Sequence, residues 1–254
     1  MPATFTRNQQ VEVVRKDPGT GGKPPLDRRP TGGGGEGDNW GDHSEGHHGP
    51  RELLIRYRLG VIFALAGDLM FFVALVSAFF VRQSTGHFDV HDNFINDWRP
   101  LAVPTILWFN TAVLILSGLT VEMARRQMFR EVDVMEEWLG LGRPAVKRAA
   151  PWLGATLVLG MAFLGGQWIA WEQLVHEGYR FLSADPSSHF FYLITGIHGV
   201  HLLFGLFALA GAFIGLFTLK KVEYRQVAVD CAAWYWHAMS IFWVFLFVLL
   251  EFFQ

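Results

Sequence analysis

Three histidines and a carboxylate lie inside long apolar stretches of this sequence, where ionisable side chains are costly and need a physical reason. His198 and His201 are three residues apart and therefore share one face of a helix, and His237 lies in the next apolar stretch. Such imidazoles could ligate haem or copper, or each could fasten a neighbouring helix through a hydrogen bond. Their spacing favours helix fastening and leaves metal ligation open.

Acidic side chains in the apolar stretches are the second group that could do chemistry. Asp68 lies near the middle of the first stretch, so its carboxyl group must be protonated, paired or next to water. A neutral Asp would make an interhelical hydrogen bond, but we favour a carboxyl that handles protons or contacts lipid. Glu172 lies at the outer end of the third stretch, where both a packing role and a functional role stay open. Glu122 ends the second stretch and is expected to be solvated or paired with an arginine.

Five apolar blocks must position these side chains. Each is long enough to cross about 30 Å of hydrocarbon, which takes roughly 20 helical residues. Only a helix satisfies every backbone hydrogen bond within one such segment, and the blocks lack the polar face of a soluble helix. The sequence therefore predicts an all-α integral membrane protein, a bundle of five transmembrane helices that span about 59–81, 101–121, 151–171, 190–219 and 227–250.

Lysine and arginine are concentrated on one side of these spans, which predicts the orientation of the chain. They precede the first span and fill the loops after the second and fourth spans, whereas the opposite side has few of them. The N-terminus is therefore expected in the cytoplasm and the C-terminus outside. The charged loop 124–150 is expected to continue the second helix beyond the membrane until Gly140 and Pro144 end it.

The N-terminal tail, the outer loop and the single cysteine show no sign of a further functional site. Residues 1–50 hold eleven of the 27 glycines and almost no aliphatic residues, so we predict a disordered cytoplasmic Gly/His-rich tail before a membrane domain at 51–254. The outer loop 82–100 carries His and Asp residues without the spacing of a known ligand frame, and we expect it to be solvated. The single cysteine, Cys231, excludes a disulfide, a Cys-x-x-Cys-His haem attachment and a thiolate metal site. The sequence has no stripe of basic residues with interleaved aromatic residues that would indicate nucleic-acid binding.

Two motifs resemble subunit III of the haem–copper respiratory oxidases. Residues 195–201, Thr-Gly-Ile-His-Gly-Val-His, are similar to the family's Thr-Gly-aromatic-His-Gly-Leu-His segment. Residues 233–237, Ala-Trp-Tyr-Trp-His, match its signature in the last helix. The chain departs from the family at Ser240, where an Asp is common, and at residues 107–109, where aliphatic residues are usual. The resemblance covers roughly residues 55–254 and matches a bacterial five-helix form.

Further positions carry the same resemblance. Asn110-Thr111 is similar to the family's Leu-Asn-Thr, and Gln167 with Glu172 resembles its Gln-Ala-x-Glu-Tyr element with looser spacing. Asp68 stands where the family has a buried Glu, or an Asp in its quinol-oxidising members, and Asp230 stands where a Glu is usual. The resemblance implies a helix-fastening role for seven residues, namely Asn110, His198, His201, Asp230, Trp234, Trp236 and His237.

The resemblance also implies a function. Subunit III carries no haem or copper, which belong to subunits I and II, so no metal or cofactor is expected in this chain. It packs directly on subunit I, encloses phospholipids in a cleft between its first two helices and the others, and supports proton uptake. Cytochrome c or quinol would donate electrons to the complex, not to this chain. We therefore expect a non-catalytic subunit of an oxidase that reduces oxygen to water and translocates protons.

Three alternatives stay open. One is a subunit III homologue associated with a quinol oxidase or with nitric oxide reductase. Another is a free-standing transporter that uses Asp68 and the histidines as a relay, although the repeated halves and broken helices of transporters are missing. The third is an intramembrane hydrolase with Ser117 as nucleophile, which lacks an adjacent base in the sequence.

Overall fold

The computed structural model describes residues 50–88, 94–96, 98, 101, 103–140, 142–179 and 186–253. The tail predicted at 1–50 lies outside these residues, except for Pro50, which begins the first helix. Most of the outer loop 82–100 also lies outside them, and its expected solvation stays a prediction. The fold described below is that of the membrane domain.

Six helices make up almost all of the described chain. Five of them are long and apolar enough to cross a membrane, which confirms the predicted number of spans. A two-stranded antiparallel hairpin, with Gly86 opposite Asn96, is the one addition to the helices in the part described. The elements are α1 (Pro50–Gln83), β1 (Gly86–Phe88), β2 (Phe94–Asn96), α2 (Ile106–Met128), α3 (Glu131–Trp138), α4 (Pro144–His176), α5 (Pro186–Thr218) and α6 (Val222–Phe252).

Three of the five spanning helices, α1, α4 and α6, are clearly longer than their apolar blocks. The fourth helix, for example, begins at Pro144, where proline fits the first turn because its missing N–H would have no helical partner, and it continues through Pro151. Helices end where capping or turn geometry ends them, whereas hydropathy marks only the part that matches the hydrocarbon. The extra turns bring charged residues into helical geometry beside the spans.

The prediction that the second helix continues to Gly140 is wrong. The α2 helix ends at Met128, and a separate eight-residue helix, α3, follows after Phe129 and Arg130. Gly140 and Gly142 then adopt positive φ angles of 75° and 124°, which suit glycine and turn the chain into α4. The charged loop therefore contains its own short helix, packed against the start of α4.

Packing of the spanning helices sets the architecture. The α2 helix packs most extensively against α4 and also against α6, while α5 packs against α6 and α4. The α1 helix packs against α6 and α5 and buries only a few side chains, among them Phe72 and Phe79. Leu114, Phe163 and Trp243 lie in the fully buried core between the other four helices.

This packing contradicts the expected cleft between the first two helices and the other three. The second span is not set apart, because polar and small residues hold it against α4. Thr120 and Thr156 share a hydrogen bond of 2.8 Å across that interface, and Gly166 of α4 makes room for the side chain of Asn110. Only α1 is loosely attached to the bundle.

Candidate functional site

A network of charged side chains joins three spanning helices at one end of the bundle. This lower end is where α1, α4 and α6 begin and where α2 and α5 end. Asp230, fully buried in the third turn of α6, accepts hydrogen bonds from Arg58 Nε at 2.6 Å and Arg58 Nη2 at 2.8 Å. Arg125 Nη1 of α2 donates to the same carboxylate at 3.3 Å. The Asp230 carboxylate therefore links α1, α2 and α6.

Glu122 extends this network toward the outside of the bundle. Its carboxylate accepts hydrogen bonds from Arg125, one turn away on α2, at 2.8 and 3.0 Å, and from Arg126 at 2.9 Å. His237 Nε2 of α6 lies 3.6 Å from Glu122 Oε2. Glu122 is thus paired with arginine, as expected, and His237 approaches another helix through this carboxylate. Buried charges need such partners, because an unpaired ion away from water costs several kcal/mol.

Asp68 and His201 form the second polar contact, deeper in the bundle. Asp68 Oδ1 lies 3.5 Å from His201 Nε2, and both side chains are about one-fifth exposed. His201 Nδ1 is 2.8 Å from the carbonyl oxygen of Ile197, which can only accept, so Nδ1 carries a hydrogen. A neutral Asp68 facing a free Nε2 or a carboxylate facing a protonated one would both suit this contact. The pair joins α1 to α5.

His198 is buried completely but makes no hydrogen bond. Its ring stacks on Trp243 of α6, with centroids 5.3 Å apart, and meets the edge of Phe72 of α1 at 6.0 Å. Neither ring nitrogen has a partner. The prediction of helix contact holds for this residue, but the expected hydrogen bond is wrong, because aromatic side chains surround the imidazole.

The motif in the last helix divides into an inner and an outer tryptophan. Trp236 is buried and donates from Nε1 to Ser117 Oγ of α2 at 2.9 Å. A Cβ on Gly160 of α4 would lie 2.8 Å from Trp236 Cη2, and Gly205 of α5 also contacts the indole. Trp236 thus fastens three helices to α6. Trp234, in contrast, is 45% exposed on the outside of the bundle, and its fastening role stays a prediction.

Asn110 lies in the α2–α4 interface, where it was expected to fasten helices. Its side chain is 2% exposed and fills the space beside Gly166, so that a Cβ at that glycine would overlap the amide. Its Nδ2 has no partner, and neither amide atom of the buried Gln167 has one. Asn110 therefore holds the interface by its shape.

Glu172 lies at the upper end of the bundle, opposite the charge network. It accepts a hydrogen bond of 2.9 Å from Trp168 Nε1, one turn away on the same helix, and it is exposed. Trp171, next to it in the sequence, contacts Thr195 of α5 instead, at 3.2 Å. These tryptophans line a groove of about 400 Å³, and such aromatic side chains are typical of a membrane–water interface. Glu172 makes no contact between helices here.

Several residues that hold the bundle together were not predicted from the sequence. Trp243 donates to Thr111 Oγ1 at 3.0 Å across the α2–α6 interface and stacks on His198. Arg58 was counted only as a flanking cation, and Arg225 was too, although it is fully buried and bonded to Glu137 of α3. A deeply placed carboxylate in the last span was the available signal that a cation must lie opposite.

The arrangement of these side chains bears on two alternative functions, metal binding and hydrolysis by a serine nucleophile. Among the residues that the structure describes, no three His, Cys, Asp or Glu side chains come together as a metal site. Ser117 donates to the carbonyl oxygen of Leu114 at 2.6 Å and accepts from Trp236, and it is fully buried. Ser117 therefore lacks the exposure and the base that a hydrolytic nucleophile needs.

The fold and these contacts define a class of protein: a five-span helical membrane protein whose buried polar residues mostly join its own helices. The sequence also matches one particular family within this class. Residues 41–254 match the family described as "Cytochrome c oxidase subunit III". The chain belongs to the cytochrome c oxidase subunit III family, as its motifs predicted, and this family provides a subunit of an oxidoreductase complex.

Individual relatives agree with this assignment. The chain is 32% identical over 196 residues to the "Probable cytochrome c oxidase subunit 3" of Nocardia farcinica, which covers 76% of this chain and 86% of the relative. It is 30% identical over 215 residues to the "Cytochrome c oxidase subunit 3" of Chondrus crispus, covering 80% and 69%. The protein of that name from Triticum aestivum is 28% identical, covering 80% and 71%.

Proposed function

We propose that this chain is the non-redox subunit III of a bacterial haem–copper terminal oxidase, which reduces oxygen to water and translocates protons. Membership of the subunit III family carries the proposal. A bacterial relative named as a probable subunit 3 supports the bacterial setting. Haem and copper belong to partner subunits I and II in this proposal, and cytochrome c or quinol delivers electrons to the complex.

The contacts inside the bundle support a structural role for its polar residues. Asp230 and Trp236 each join α6 to other helices through side-chain hydrogen bonds, and the imidazole of His198 is packed among aromatic rings. Ligation of haem or copper would instead require a ring nitrogen that faces the metal, whereas the His198 ring lies between Trp243 and Phe72. The chain then contributes by holding its own helices and its partner's surface in place.

Large apolar side chains on the outside of the bundle favour direct packing on subunit I. Along α1, for example, Phe63 is 70% exposed and Met70 is 74% exposed. At membrane depth such a surface is covered by lipid or by an apolar surface of another protein. The loose attachment of α1 suits a helix that gains its remaining contacts from a neighbour.

Phospholipid binding is proposed at a groove between α2 and α6. The groove has a volume of about 560 Å³, and its walls are apolar side chains such as Leu119, Phe245 and Val248. Glu122 and His237 stand at its lower end, where a polar headgroup would lie. An acyl chain along the apolar walls would remove this surface from contact with mobile lipid.

Support of proton uptake is proposed for the Asp68–His201 pair. The two side chains are partly exposed, and Asp68 Oδ1 lies 3.5 Å from His201 Nε2, the ring nitrogen that does not face Ile197. Such a pair can hold a proton near subunit I without any redox chemistry. We also propose that the lower end of the bundle faces the cytoplasm, because lysine and arginine are concentrated there.

Purification of the tagged full chain in a mild detergent tests the proposal. We expect two further chains to co-purify, together with the absorption spectrum of haem and with stoichiometric phospholipid. A chain that purifies without any haem-bearing partner would contradict the oxidase assignment. Proton uptake into liposomes by the chain alone would instead support the transporter alternative.

A further inference from the structure

Two carboxylates of the short helix α3, Asp133 and Glu137, point into the bundle, whereas Glu131, Glu136 and the large apolar side chains are exposed. Asp133 is 1% exposed and is 3.3 Å from Arg148 of α4, while Glu137 pairs with the buried Arg225 of α6. The outward side carries four large apolar side chains, each more than three-fifths exposed, with Glu131 and Glu136 among them. This α3 face consists of Val132, Met135, Trp138 and Leu139.

The buried ion pairs fix which side of α3 faces out. Asp133 and Glu137 are four residues apart and therefore lie on one side of the helix. Their partners begin two different spanning helices, so α3 cannot rotate without breaking both pairs. The apolar α3 face is consequently held away from the bundle, although water is a costly environment for it.

The connections of α3 fix its depth. Two residues separate it from the end of α2, and the five residues 139–143 separate it from the start of α4. Both neighbours are membrane-spanning helices that continue about two turns beyond their apolar blocks, so α3 lies at the depth of the lipid headgroups. An apolar helix face at this level, with a tryptophan in it, is typical of a helix lying in the bilayer interface.

A pocket beside α3 adds positive charge. It has a volume of about 580 Å³, and Trp138 contributes to its lining together with three basic side chains, Arg143, Lys220 and Lys221. Glu137 and Glu223 also line it, but Glu137 is neutralised by the buried Arg225, which is not part of the lining. The basic excess next to an apolar surface suits a negatively charged lipid headgroup with its acyl chains in the bilayer.

We propose that the α3 face lies in the bilayer interface and that the pocket of Arg143, Lys220 and Lys221 binds the headgroup of an anionic phospholipid. The inference rests on the proposed membrane residence and orientation of the chain, but it needs no oxidase partner. It concerns a site separate from the α2–α6 groove. The surface and the pocket would hold the lower ends of α4, α5 and α6 to one lipid leaflet.

The depth of the α3 face is measured on the full chain in nanodiscs of phosphatidylcholine. Met135→Cys in a Cys231→Ser background carries an environment-sensitive fluorophore, and Glu136→Cys is the control at the polar edge of the same helix. We expect lipids with brominated acyl chains to quench the probe at 135 more than the probe at 136. Equal quenching of the two, or quenching of the probe at 135 by aqueous iodide alone, would overturn the proposal.

Headgroup binding is measured as the retention of phosphatidylglycerol on chains released from mixed nanodiscs into a mass spectrometer. Each change at the pocket, Lys220→Gln or Lys221→Gln, should lower retention by about fivefold. Lys147→Gln, which removes an exposed charge outside the pocket, should leave retention unchanged. An equal loss in all three variants would show that only the overall charge matters, and would overturn the assignment of the pocket.

Two further outcomes separate this inference from others. If the probe at 135 is shielded from both bromolipid and iodide in the purified complex, a partner protein covers the α3 face and the inference is wrong. If the chain does not enter nanodiscs at all, the failure lies in the proposed membrane residence. If the tagged chain purifies from its cells without any haem-bearing partner and still binds lipid at the pocket, the proposed function is wrong and this inference stands.

Discussion

Asp230 and Arg58 are 172 residues apart in the sequence and form a two-point ion pair, with nitrogen–oxygen distances of 2.6 and 2.8 Å. The carboxylate is fully buried, whereas the arginine is about one-third exposed. This pair matters because α1 has few other contacts with the bundle. The first helix of the domain is therefore held to the last by a charge contact as well as by apolar packing.

Replacing Asp230 with Asn should destabilise the bundle. The change keeps the side-chain volume but removes the negative charge that faces Arg58, while Arg125 keeps its pairing with Glu122. We expect the free energy of unfolding to fall by about 3 kcal/mol, measured by detergent-induced unfolding of the full chain. The control is Arg126→Gln, since the Arg126 side chain is 70% exposed and its pairing should contribute less than about 1 kcal/mol. Equal losses in both variants would show that the buried pair has no special weight.

Two adjacent glycines of α4 provide a test of packing between α2 and α4. Gly166→Ala would place a methyl group in the Asn110 amide, and overpacking of this kind costs about 1–3 kcal/mol. Gly165→Ala meets nothing within 4 Å and should change stability by less than about 0.5 kcal/mol. Unfolding of both variants in the same detergent gives the comparison. If Asn110→Ala does not restore part of the stability of Gly166→Ala, the assigned clash is wrong.

The two tryptophans of the last-helix motif should differ in their effect on stability. Trp236→Phe removes the hydrogen bond to Ser117 and leaves space between Gly160 and Gly205, at an expected cost of about 2 kcal/mol. Trp234→Phe changes an exposed ring and should leave the unfolding free energy almost unchanged. A larger loss in the outer variant would mean that α6 is rotated relative to the arrangement described here.

The sequence predicted the number of helices better than their pairing. Bilayer thickness sets the length of an apolar block, so five spans could be counted without any tertiary information. Which side of each helix faces the core was harder to predict from the sequence. Residues two apart on a helix point about 200° from each other. Trp234 and Trp236 therefore point to opposite sides of α6, and both could be buried only if other helices covered both sides. The prediction of the cleft was wrong because it required knowing which helices pack together, and hydropathy does not show that.

Partners distant in the sequence were beyond prediction for the same reason. Arg58 resembles any cation at the end of a membrane span, and nothing near it in the chain indicates Asp230. Arg225 likewise looks like a solvated loop residue, although it is fully buried beside α3. The carboxylates were recognisable because their depth makes them costly. Their cations were not, since a cation next to a span needs no special reason.

The Asp68–His201 pair should matter more for proton uptake than for assembly. Asp68→Asn keeps the volume of the side chain and its capacity for a hydrogen bond to His201, so the subunit should still co-purify with its partners. We expect a mild reduction of proton uptake, measured as acidification or alkalinisation by the complex in liposomes. Complete failure of the variant to assemble would show that the carboxyl group is a packing element. Glu172→Gln at the exposed upper end is the control and should not affect assembly.

His198 should tolerate loss of its nitrogen atoms, unlike His201. Since neither ring nitrogen of His198 has a partner, His198→Phe removes no hydrogen bond and keeps an aromatic ring against Trp243. We expect the free energy of unfolding to change by less than about 1.5 kcal/mol, as for a near-isosteric apolar substitution. His201→Phe, in contrast, leaves Asp68 without its partner at membrane depth and should cost more. The measurements are unfolding of both variants and metal analysis of the unmodified chain. Stoichiometric copper or haem, or a severe loss of stability from His198→Phe, would contradict a packing role.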